Sequence, residues 1–69
     1  MQNDTATPDL RKLPEVCRQT GLSGPTVYRL AHAGKFPKPI KITTRASAWV
    51  GTEVDEWVRN RIAEARDAA

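Results

Sequence analysis

Apolar and polar residues follow one another along this chain in more than one rhythm, and the rhythm changes at glycines and prolines. Residues 1–9 have no apolar periodicity and read as a disordered tail. A helical pattern then runs from about Pro14 to Thr20, with Leu13, Val16 and Cys17 on one face. Pro14 and Glu15 suit its first turn, and Gly21 ends it. A second helix follows almost at once, with Ser23 as N-cap, Gly24-Pro25 in its first positions and Gly34 as its closing glycine. Val27, Leu30 and Ala31 repeat at helical spacing and face inward, which turns Thr26, Tyr28, Arg29 and His32 elsewhere.

After Gly34 the rhythm shortens. Pro37 and Pro39 forbid helix and impose an extended path. Ile40-Lys41-Ile42 alternates as an exposed strand does, residues 43–46 make a turn, and Ser47-Ala48-Trp49 returns. A two-stranded ribbon is marginal unless it packs on helices, and Ile40, Ile42 and Trp49 are the residues expected to pack it. Gly51-Thr52 opens the last helix, where Thr52 and Asp55 resemble a capping box. Val54, Trp57, Val58, Ile62 and Ala65 form a single stripe expected to be buried. The expected organisation is a tail over 1–9, one domain over 10–66 and a C-terminal tail over 67–69. The expected fold is mainly α with a small β-ribbon, in the order α-α-β-β-α.

The link between the first two helices carries the most information. Thr20-Gly21-Leu22-Ser23 is a short corner with a central glycine and an apolar anchor. A helix-turn-helix has such a corner, and its second helix enters the major groove; other αα-hairpins share the pattern. Taken in order, Leu13-Pro-Glu-Val-Cys, Thr20-Gly-Leu-Ser, Thr26-Val-Tyr-Arg-Leu, Gly34-Lys-Phe-Pro-Lys-Pro-Ile-Lys, Ala48-Trp and Glu53-Val-Asp-Glu-Trp resemble the AlpA family of phage and prophage regulators. The resemblance covers residues 10–65. That family is related to the excisionases and to the DNA-binding domains of MerR-like regulators. The resemblance implies a winged, MerR-like or excisionase-like helix-turn-helix. It also implies a transcriptional regulator or a recombination directionality factor of a mobile element. Gly24-Pro25 departs from the polar, often basic residues expected at the start of the recognition helix.

Composition narrows the function classes. A chain of 69 residues allows one small domain. A single cysteine excludes an intramolecular disulfide, fits a reducing cytoplasm, and with a single histidine cannot complete a structural zinc site. No apolar run approaches the roughly 20 residues of a membrane span, and the N-terminus lacks the basic and apolar regions of a secretory signal. No phosphate-binding glycine loop, nucleophile–base pair or cofactor motif stands out, so no enzyme or cofactor is expected. Net charge is +3, unevenly spread. Residues 11–50 carry eight bases and one acid, and residues 51–69 carry five acids and three bases. A basic body with an acidic end points to a polyanionic partner on one face, although a solvated basic surface has the same composition.

The candidate contacts with double-stranded DNA follow from the two faces. On the second helix they are Ser23, Thr26, Tyr28 and Arg29, where Arg29 offers a fork of donors to phosphate or guanine. Tyr28 is equally open to a half-buried scaffold role. In the wing the candidates are Lys41, Thr43, Thr44 and Arg45, with Arg45 at a tip suited to the narrow minor groove. Lys35 and Lys38, which flank the prolines, join them as backbone contacts at most. Cys17, Trp49 and Trp57 are expected in the core, and His32 near a helix C-terminus. The competing function is a protein adaptor that docks an integrase or repressor through the acidic last helix. The expected state is a monomer in solution that assembles cooperatively on DNA.

Overall fold

The computed structural model describes residues 8–68, so most of the tail expected over 1–9 lies outside the described residues. Six elements follow in order: β1 (Leu10–Arg11), α1 (Leu13–Thr20), α2 (Gly24–His32), β2 (Ile40–Thr43), β3 (Ala46–Val50) and α3 (Gly51–Ala68). The chain is therefore mainly helical, with a three-stranded antiparallel sheet in the order β1-β3-β2. β1 corrects the expected α-α-β-β-α order. Its two residues show no alternation, and it exists only because Leu10 pairs with Val50 and Arg11 with Trp49.

Local chemistry explains the helix ends. Gly21 takes φ +78, which a side chain disfavours, and its N–H bonds to the Cys17 carbonyl at 2.8 Å. The Thr20 hydroxyl donates to the Val16 carbonyl at 2.8 Å and accepts the Leu22 N–H at 3.2 Å, which knits the corner. Leu22 packs on the core as the apolar anchor. Ser23 caps α2 by accepting the Thr26 N–H. At the other end Lys35 N–H reaches the Leu30 carbonyl and Gly34 N–H the Ala31 carbonyl, the pair of bonds of a Schellman ending.

Val16, Val27, Ala31, Phe36, Trp49 and Val54 form the buried core, with Leu13, Cys17, Leu22, Leu30, Trp57 and Val58 packed around it. Both indoles pin the proline segment. Trp49 Nε1 donates to the Pro37 carbonyl at 2.9 Å, and Trp57 Nε1 to the Lys35 carbonyl at 2.8 Å. Phe36 is buried, edge-to-face on Trp57 at 4.8 Å.

Three packing expectations are corrected. Ile40 and Ile42 are exposed, because α1 and α3 pack on the central strand β3 and β2 lies at the sheet edge. Ile62 and Ala65 are exposed as well, since burial along α3 stops at Val58 while the helix continues to Ala68, through residues read as a tail. Trp57 is half-buried, not deep in the core, whereas Trp49 is fully buried. The Thr52–Asp55 capping box does not form: α3 already begins at Gly51, and the Asp55 carboxylate is engaged by Arg11 and Gln19.

Candidate nucleic-acid interface

The face of α2 turned away from the core carries the donors. Pro25, Tyr28, Arg29 and His32 recur at i, i+3 and i+4 and so share one side of the helix. Arg29 and His32 are exposed. Tyr28 is 47% exposed while its ring meets Trp49 edge-to-face at 5.5 Å, so it is both scaffold and surface. At the start of the helix Ser23 Oγ donates to Thr26 Oγ1 at 2.9 Å, and Thr26 is half-buried.

The extended segment after α2 borders this face. Lys38 and Pro39, held in place through the Pro37 and Lys35 carbonyls, line a groove with Pro25, Tyr28, Arg29 and His32. From the sequence Lys38 is, like Lys35, a basic residue flanking a proline and a backbone contact at most. Its place beside Arg29 depends on the two indole bonds, which no spacing reveals. His32 was visible at helical spacing from Arg29, yet nothing local marked a groove there.

The β2–β3 hairpin presents the second group. Lys41, Thr43, Thr44 and Arg45 are all exposed. Thr43 Oγ1 accepts the Arg45 N–H at 3.2 Å and Lys41 Nζ reaches the Thr44 carbonyl at 3.5 Å, which orders the tip. The ladder shifts register between Lys41 and Thr43, and such an irregularity increases local twist. The hairpin joins the α2 group through β3, since Trp49 carries the Tyr28 contact. Lys35 is exposed, and its carbonyl is taken by Trp57.

Electrostatics separate one cation from the rest. Arg11, counted in the basic body, is turned to acid partners: its Nη1 donates to Asp55 Oδ1 at 2.7 Å and its Nε to Asp9 Oδ2 at 2.7 Å. Gln19 completes the cluster, donating to Asp55 Oδ1 at 2.7 Å. The Arg11 bonds, then that of Gln19, hold the Asp55 carboxyl down at about 2, and the carboxylates raise the Arg11 guanidinium further. Among the described residues, the other seven bases of 11–50 form no ion pair, and all seven are exposed. These seven lie at the start of and along α1, on α2, in the proline segment and on the hairpin, while on α3 Arg59 and Arg66 are likewise exposed and form no ion pair among the described residues. Among the described residues no group of three or more His, Cys, Asp or Glu is placed to hold a metal, and no helix is long and apolar enough to cross a membrane.

Comparison with known proteins agrees with the motifs. The family model described as prophage CP4-57 regulatory protein (AlpA) matches residues 10–62. The uncharacterized protein ORF88 of Enterobacteria phage P4 is 38% identical over 52 residues, covering 75% of this chain and 59% of that protein. The DNA-binding transcriptional activator AlpA of Escherichia coli strain K12 is 31% identical over 67 residues, covering 88% of this chain and 94% of that protein. The resemblance read from the sequence motifs is thereby confirmed, and the chain belongs to the AlpA family of prophage regulatory proteins.

Proposed function

We propose that this protein binds double-stranded DNA as a winged helix-turn-helix and regulates transcription for a phage or other mobile element. The observation that carries this reading is the set of exposed cations without acid partners around α2 and the β2–β3 hairpin. α1, the Gly21 corner and α2 form the helix pair, and α2 is the recognition helix for the major groove. Ser23 and Thr26 serve phosphates at its start, and Arg29 a phosphate or guanine edge. The hairpin is the wing, with Arg45 at its tip for the minor groove and Lys41, Thr43 and Thr44 along the backbone. The name of the Escherichia coli relative supports both the partner and the role. Work on DNA locates the protein in the cytoplasm.

Steering excision is the second role we propose. A protein that binds and bends an attachment site can set the direction of recombination, and the end of α3 beyond Val58, exposed with Ile62, offers a contact to an integrase. Footprinting on the element's own promoter and attachment regions tests both roles. Protection at a promoter supports regulation, and protection at an attachment site supports excision. Absence of duplex binding at low salt would leave only the adaptor reading.

A further inference from the structure

We propose that the groove between α2 and Lys38-Pro39 seats one deoxyribose-phosphate unit of the DNA backbone, with Arg29 and Lys38 gripping the same phosphate from opposite walls. This rests on the DNA-binding reading and makes it specific. The groove is built from two unlike surfaces. Pro25, Pro39 and the ring of Tyr28 give it apolar walls, and Arg29, His32 and Lys38 give it a cationic and donor rim. A free inorganic anion would use the rim and leave the walls idle. A purely apolar peptide would leave two cations facing it. A nucleotide backbone has both parts: the deoxyribose presents C–H surface and the phosphate beside it carries the charge.

The elements supply the two walls independently. Arg29 and His32 are one helical turn apart on α2 and are exposed. Lys38 comes from the segment fixed by the Trp49 and Trp57 indole bonds to the Pro37 and Lys35 carbonyls. None of the three forms an ion pair among the described residues. Pro25, in the first turn of α2, is a wall residue of the groove. The arrangement turns two weak surface cations into a clamp on one site.

A double-mutant cycle tests the shared phosphate. Arg29→Ala, Lys38→Ala and the double variant are titrated with a short DNA duplex, and their thermal melts serve as the folding control. Because both side chains are exposed, all three melts should match the parent. Each single variant should weaken binding. The double variant should fall short of the product of the two single losses by about threefold or more, since residues on a shared partner are coupled. The salt slope should drop by about 0.9 for one phosphate lost, not by twice that in the double variant. Strictly multiplicative losses, with the slope falling once for each residue, would overturn the shared clamp and leave DNA binding standing. A parent protein that does not bind the duplex would overturn both.

Discussion

At the scale of single residues, two tryptophans that look alike in the sequence have unequal duties. Trp49 is fully enclosed and holds the proline segment from within, so Trp49→Ala should cost about 3–5 kcal/mol. A domain this small has little more stability than that, and a urea melt should show the variant largely unfolded. Trp57 is half-buried between Phe36 and Arg61, whose guanidinium lies 5.2 Å from its ring. Trp57→Ala should therefore melt earlier but still cooperatively. The Arg11–Asp55 pair predicts the acid limit. The Asp55 carboxyl is held at about 2 in the fold against an ordinary value of 3.8, so the stabilisation is complete above about pH 4 and is lost as pH falls toward 2. Asp55→Asn should flatten the decline of melting temperature across that window, and a decline identical to the parent's would show that other carboxylates govern it.

At the scale of elements, what is legible depends on whether a signal is local. Both ends of α2 and the end of α1 follow from Gly21, Ser23 and Gly34, because caps are decided within one turn of chain. Gly21→Ala should cost about 1 kcal/mol through the backbone alone, since no atom lies within 4 Å of the added carbon. Ser23→Ala should cost a similar amount, about 1 kcal/mol, through the lost cap. A pair of melts decides both, and no shift in either would remove the corner from the list of stability determinants. β1 was not legible because two residues have no period, and the strand is created by its partner. Asp55 misled for a related reason. Its spacing from Thr52 suits a cap, but a guanidinium 44 positions away takes the carboxylate. The stripe on α3 has the phase its spacing predicts but ends at Val58, as periodicity does not report where the opposing surface stops.

At the scale of the whole molecule, charge sets the behaviour toward DNA. With Arg11 occupied, about four to six of the remaining cations reaching phosphates would give a log–log salt slope near −4 to −5, and a flat titration would sink direct binding. Arg45→Ala should leave the melt unchanged and weaken binding evenly across sequences, because a wing tip contacts backbone and groove width more than base edges. Past Val58, Ile62 is the one large apolar side chain on α3, too little for a coiled-coil seam, so sedimentation at micromolar concentration should give a monomer. The basic face itself was legible from composition, whereas the groove beside Lys38 was not, for it is assembled by tertiary bonds. β1 also governs how the molecule opens. Leu10 pairs with Val50, and the Gly51 N–H bonds to the Asp9 carbonyl across an approach so close that an added carbon on Gly51 would strike the Asp9 carboxylate. Both helices and the hairpin close over short stretches of chain, but this contact must bring together positions about forty residues apart, and such closures come late in folding. Weakening β1 should then leave the refolding rate nearly untouched and speed unfolding, so that the N-terminal strand is the latch whose release begins the loss of the fold.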